Sequence, residues 1–208
     1  MADNIDRTDR APTTVFNVPN QLTALRLVLS VVLFVFISFG FYMTSTVLFV
    51  IAASTDWLDG HYARKYGQVT TLGRILDPFA DKVIICGTFI FLAAEPAMIG
   101  AWFGVKAWMV VVIVGRELLV TALRSFIEQR GSDFSAKMAG KLKMVLQCIT
   151  AGTALFCLAY TDPGAPTDYS DVPTWSLWLL AGSLWSAVAL TVYSGVQYIL
   201  AAVKAVRR

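Results

Sequence analysis

The chain has 208 residues, 57% of them hydrophobic and only 15% charged, with a net charge of +3 and a mean hydropathy of +0.64. A soluble domain carries about a quarter charged residues, so the composition excludes an ordinary soluble globule. The small net charge gives no basis for nucleic-acid binding. Residues 1–15 form a polar tail with Asp3, Asp6, Arg7, Asp9 and Arg10, expected to be poorly ordered and unlike a cleavable signal peptide. Residues 16–208 read as one domain, an all-α membrane protein of six transmembrane helices.

A hydrocarbon core needs about 20 apolar residues per helix. Six stretches approach that length: 22–42, 45–63, 75–95, 103–127, 141–160 and 175–201. Before the first, Phe16-Asn17-Val18-Pro19-Asn20 predicts a short interfacial segment broken at Pro19. The second and third carry Asp56, Asp59, Asp77 and Asp81, with Pro78 expected to bend the third. The fourth carries Arg116-Glu117 deep in an apolar run and Arg124 near its end. Lys141 and Lys143 begin the fifth. An outer Pro/Gly/Asp-rich loop beginning at Asp162 precedes the sixth, where Trp175 and Trp178 suit an interfacial belt. Cys86, Cys148 and Cys157 all sit in apolar runs and read as small packing residues.

Basic residues fall on one side: Arg64, Lys65, Arg74, Arg130, Lys137, Lys204, Arg207 and Arg208. The other side holds Glu95, Asp162, Asp168 and Asp171, with Lys106 its one basic residue. The positive-inside rule places both termini in the cytoplasm, in agreement with an even number of spans.

Asp56 and Asp59 are three apart, and Asp77 and Asp81 four apart, so each pair shares a helix face. Four ionised carboxylates near one membrane depth repel one another and are costly in hydrocarbon, so they need a polar cavity and partners. Divalent cations meet both needs, and hard oxygen ligands suit Mg²⁺ or Mn²⁺. Gly60 and Gly73 allow a close approach of backbone or ligand, and Arg64 and Lys65 stand where they can pair with phosphate. Arg116 needs an anionic partner at its depth. Glu117 supplies part of that pairing, and the phosphate of a substrate is the expected remainder. Arg116 and Arg124, eight residues apart, share a face. His61 reads as interfacial.

The segment Asp56-Trp57-Leu58-Asp59-Gly60-His61-Tyr62-Ala63-Arg64, eight further residues, then Gly73-Arg74-Ile75-Leu76-Asp77-Pro78-Phe79-Ala80-Asp81 resembles the CDP-alcohol phosphotransferase family. That family's signature is D-x2-D-G-x2-A-R-x8-G-x3-D-x3-D, and all eight specified positions match. The resemblance implies a six-helix membrane enzyme, usually a homodimer, which moves a phosphatidyl or related group from a CDP-linked donor to an alcohol and releases CMP. It implies that Asp56, Asp59, Asp77 and Asp81 hold one or two divalent ions and that Asp81 takes the proton of the acceptor hydroxyl. Asn20, Gly60, Ala63, Arg64, Thr70 and Gly73 match positions lining the CDP-donor site.

Asn17–Arg26, Arg116–Arg124 and Gly140–Lys143 are further similar to phosphatidylglycerophosphate synthases, over residues 16–147. This implies CDP-diacylglycerol as donor, glycerol 3-phosphate as acceptor, and a bacterial inner membrane with the active site facing the cytoplasm. Arg116, Arg124 and Lys141 are then expected to bind the acceptor phosphate. Within the family, inositol phosphate, serine or phosphatidylglycerol are alternative acceptors. A cation transporter with an intramembrane carboxylate site is the rival from another class, and metal-dependent release of CMP separates the two.

Overall fold

The computed structural model describes the backbone of residues 18–66, 71–128, 138–162 and 168–206, and the side chains of 21, 23–54, 79–123, 140, 142–162 and 168–203. These residues form helices and no strand. The six long helices are α1 (Val18–Ser38), α2 (Tyr42–Tyr66), α3 (Thr71–Ala94), α5 (Ala107–Glu128), α6 (Met138–Ala159) and α7 (Thr174–Val206), with a single turn α4 (Pro96–Ile99) between α3 and α5.

Each expected apolar stretch has a helix as counterpart, and the differences lie at the ends. Helix α1 begins four residues earlier than its apolar run because Pro19 does not break the chain there. Proline lacks only an N–H that the first turn leaves unbonded anyway, and its fixed φ suits that turn. The expected break at Pro19 is therefore wrong, and residues 1–17 of the proposed tail and interfacial segment lie outside the described residues. Helix α1 also ends earlier, at a Schellman turn. Gly40, at φ 77°, donates its N–H to Ile37 at 2.9 Å, while Phe41 donates to Phe36 at 3.0 Å. Helix α3 runs on through Pro78.

The long helices close into a ring in which α1 packs on α2, α2 on α6, α6 on α7, α7 on α5, α5 on α3 and α3 on α1, while α3 also meets α6 across the middle. Side-chain contacts set the directions. Tyr42 at the start of α2 donates to Glu95, just past α3, at 2.7 Å. Cys157, late in α6, donates to Ser176, early in α7, at 3.4 Å. Each of these two pairs is antiparallel, and α5 meets α3 through Thr121 and Lys82 and α6 through Glu117 and Lys143, so the end of α2, the start of α3, the end of α5, the start of α6 and the end of α7 share one end of the bundle.

The interior is apolar, with Leu33, Ile37, Phe49, Phe89, Leu92, Ile113, Leu155 and Leu184 fully buried. Most buried hydroxyls bond within their own helix, as Thr88 does to the Ile84 carbonyl (2.7 Å) and Thr191 to that of Ala187 (2.6 Å). Such self-contained bonds suit helices without access to water.

The outside is apolar as well. Val28, Val31 and Val35 on α1, Val47 and Val50 on α2, Ile90 on α3, Val111 and Leu118 on α5, and Val192, Val196 and Leu200 on α7 are all exposed. A soluble protein does not present such continuous apolar surface; this surface belongs in lipid. Among the described residues, Leu142–Ala159 and Thr174–Val203 are long and apolar enough to cross a membrane.

The end with Glu95 is closed by α4 and its flanks. Lys106 donates to the carbonyls of Met98 (3.3 Å), Ile99 (2.6 Å) and Ala101 (2.7 Å), the groups that a helix end leaves open. Tyr169 donates to the Ala97 carbonyl at 2.6 Å. Gly104 sits so tightly that a Cβ there would stand 2.0 Å from the Met98 carbonyl oxygen. Gly104→Ala is therefore expected to displace backbone and cost about 1–3 kcal/mol, the usual range for overpacking, read as a lower thermal unfolding midpoint in detergent.

Candidate functional site

The charged side chains described within the helices gather at the opposite end. Asp81 lies on α3 and pairs with Arg26 of α1, whose Nη1 donates to Asp81 Oδ1. The Arg26 side chain is 4% exposed and that of Asp81 28%, so the arginine forms the floor and the carboxylate the accessible face. The next residue, Lys82, donates to Thr121 Oγ1 on α5. One step of α3 is thus held by α1 on one side and by α5 on the other.

A small open cleft lies beside this pair, lined by Arg26 and Asp81 together with Ala52, Ala53, Ile84, Ile85, Met144 and Cys148. Four helices, α1, α2, α3 and α6, contribute to it. The two charged residues stand in an otherwise apolar wall, where each charge is costly without its partner.

A second charged group joins α5, α6 and α7. Glu117 accepts from Arg116 Nη1 at 3.2 Å and from Lys143 Nζ, reaching across from α5 to α6. The Arg116 guanidinium also lies over the Tyr198 ring of α7, 5.4 Å from its centroid. The expectation that Glu117 partners Arg116 holds. The bridge to Lys143 and the contact with Tyr198 were not anticipated.

The other expected site residues are placed only by backbone. Asp56, Asp59, Gly60, Ala63 and Arg64 lie in the last three turns of α2, and Gly73 and Asp77 in the first two turns of α3. The four-residue link between α2 and α3 brings these segments to the same end of the bundle as Asp81. Asn20 lies in the first turn of α1, Arg124 near the end of α5 and Lys141 in the first turn of α6. Their side chains, and Thr70 entirely, lie outside the described residues.

The chemistry of the donor set fits a hard divalent cation. Carboxylate oxygens are its preferred ligands, and Asp81, the one of the four aspartates with a described side chain, is partly exposed at the cleft.

Arg26 ends the stretch Asn17–Arg26 of the wider resemblance, but the sequence attaches no role to it. It is the one charged residue in the sequence of α1, and an arginine inside an apolar span is itself a signal, because such a charge requires a partner. What the chain order hides is which partner, since Asp81 lies 55 positions away.

Fold and site together define a helical membrane protein with a buried charged site at one end of its bundle. A family model described as CDP-alcohol phosphatidyltransferase matches residues 16–193. The chain is 33% identical over 198 residues to the CDP-diacylglycerol–glycerol-3-phosphate 3-phosphatidyltransferase of Bacillus subtilis (strain 168), covering 88% of this chain and 93% of that protein. Proteins of the same name from Pseudomonas fluorescens (32% identical, 89% and 90% covered) and Haemophilus influenzae (31%, 88% and 92%) are similar over comparable lengths. The chain belongs to the CDP-alcohol phosphatidyltransferase family and is an enzyme of that class.

Proposed function

We propose that the protein transfers the phosphatidyl group of CDP-diacylglycerol to the 1-hydroxyl of sn-glycerol 3-phosphate, giving phosphatidylglycerophosphate and CMP in phospholipid biosynthesis. The observation that carries this reading is Asp81, anchored by a buried arginine on the wall of an otherwise apolar cleft, in a chain whose relatives bear the name of that reaction. An apolar wall suits the lipid part of such a substrate, and the carboxylate would meet its phosphates through a bound cation.

In this reading Asp56, Asp59, Asp77 and Asp81 hold one or two ions, Mg²⁺ or Mn²⁺. The metal, when bound, supplies neutralisation of the pyrophosphate oxygens and of the charge growing on the leaving phosphate. Asn20, Gly60, Ala63, Arg64, Thr70 and Gly73 receive the cytidine diphosphate portion. Arg116, Arg124 and Lys141 hold the acceptor phosphate through charge-assisted hydrogen bonds. The acceptor oxygen attacks the phosphorus that bears the diacylglycerol. A P–O bond forms there, the bond to CMP breaks, and Asp81 takes the hydroxyl proton. A carboxylate is a weak base, but the proton becomes acidic as the new bond forms.

The six long helices span the membrane, with the basic ends and both termini in the cytoplasm, so water-soluble acceptor and CMP exchange with that side. For a bacterial protein this is the inner membrane. Residues 16–208 act as one domain, and the homodimer implied by the family resemblance belongs to the same reading.

The test supplies labelled CDP-diacylglycerol to the purified protein with each acceptor in turn. Glycerol 3-phosphate is expected to give labelled phosphatidylglycerophosphate and one CMP per lipid formed. Product with inositol phosphate, serine or phosphatidylglycerol, and none with glycerol 3-phosphate, refutes the assignment.

A further inference from the structure

Arg26 is set apart by its place. Its side chain is almost wholly buried, its helix carries no other charge, and its guanidinium reaches Asp81 from a neighbouring helix. Its backbone is also held, since its carbonyl accepts the Ser30 hydroxyl at 2.8 Å. Ala80, the residue before Asp81, is fully buried, and Lys82, the residue after it, is tied to α5 through Thr121. The backbone at Asp81 is therefore fixed, and the remaining freedom of the residue is rotation of its side chain. An Arg26 bond to Oδ1 restrains that rotation, because a carboxylate is planar and the second oxygen must follow the first.

We propose that Arg26 is a positioning residue, one that holds the Asp81 carboxylate in the orientation from which it meets the acceptor hydroxyl. The inference rests on the reading of Asp81 as the proton acceptor. A pair that served only to join α1 to α3 would not need a cleft beside it, whereas this pair lines one. Packing already joins those two helices, and two apolar side chains would do so without the cost of dehydrating two charges. A base needs its oxygen within hydrogen-bond reach of the proton at the moment of attack, and a side chain free to turn meets that condition only part of the time.

The test compares Arg26→Met and Arg26→Lys with the parent protein in detergent. It measures kcat and KM for CDP-diacylglycerol and glycerol 3-phosphate, Mn²⁺ binding without substrates by electron paramagnetic resonance, and the thermal midpoint. For Arg26→Met, kcat is expected to fall by about 100-fold, the scale of a small misplacement of a reacting group. Both KM values are expected to persist, and Mn²⁺ binding, to which Asp81 contributes one of four carboxylates in the proposed site, is expected to weaken far less than kcat falls. Arg26→Lys, which keeps a cation that can pair with the carboxylate but not its fork, is expected to recover much of the rate. Should Arg26→Met fail to fold, Arg26→Gln takes its place with the same expected fall in kcat.

The inference is overturned by parental kcat in a folded neutral variant, or by a defect confined to KM. It is also overturned by a lysine variant no better than the neutral ones, or by failure of every variant to fold. A parent protein that forms no product with glycerol 3-phosphate tells against the proposed function instead.

Discussion

Asp81→Asn is expected to lower the rate of CMP release by about 10²- to 10⁴-fold, the contribution usually made by a positioned general base. Asparagine has nearly the same shape, and its amide oxygen still accepts from Arg26, so the α1–α3 contact survives the change. What is lost is the negative charge and the ability to take a proton. An amide is also a poorer ligand for a divalent cation than a carboxylate, so the metal requirement is expected to move to higher concentration. Steady-state kinetics at saturating Mg²⁺ separates the two effects: a rate deficit that persists at saturation belongs to proton transfer. The thermal midpoint is expected to fall, because the buried Arg26 cation keeps a hydrogen bond but loses its counter-charge, so turnover is compared well below the variant's midpoint. Parental turnover in the asparagine variant removes Asp81 from the chemistry.

Chelation is expected to have an effect as large. With EDTA, product formation should fall to background, and added Mg²⁺ or Mn²⁺ should restore it. The reason is the concentration of carboxylates at the junction of α2 and α3, where Asp56, Asp59, Asp77 and Asp81 fall within the adjoining ends of two helices joined by four residues. On the proposed reading, removing the cation leaves four like charges to oppose one another. A ligand that binds the folded state alone also stabilises it, so EDTA is expected to lower the thermal midpoint and Mn²⁺ to raise it. Full activity in EDTA rejects the metal assignment, whatever the midpoint does.

Much of the architecture is legible along the chain because a membrane helix carries its own instructions. Apolar runs near the length of the hydrocarbon core mark all six long helices, since every backbone bond in such a segment is made within it. The ends were less legible. Pro19 looks like a break but suits a first turn, and Gly40 stops α1 through a left-handed residue that hydropathy does not weigh. The single turn α4 is too short for any periodic signal, and its capping by Lys106 depends on a loop folding back. In the sequence Lys106 is simply a basic residue on the acidic side.

The aspartate motif is legible because its pattern is local. Spacings of three and four place each pair on one helix face, and all eight specified positions of the signature fall within 26 residues, from Asp56 to Asp81. That segment suffices for the family and for a metal-binding expectation. The partners of the charges were not legible. Arg26 meets Asp81 and Lys143 meets Glu117 across separations of 55 and 26 positions, and nothing in either stretch names the other. The order of helices around the ring decides those meetings, and that order follows from how apolar faces pack. Composition and spacing therefore determined that this is a membrane enzyme of its family, and they carry the expectation of a carboxylate site. The tertiary structure alone decided that the arginine of α1 stands beneath Asp81, because a buried charge takes whichever opposite charge the packing brings within reach.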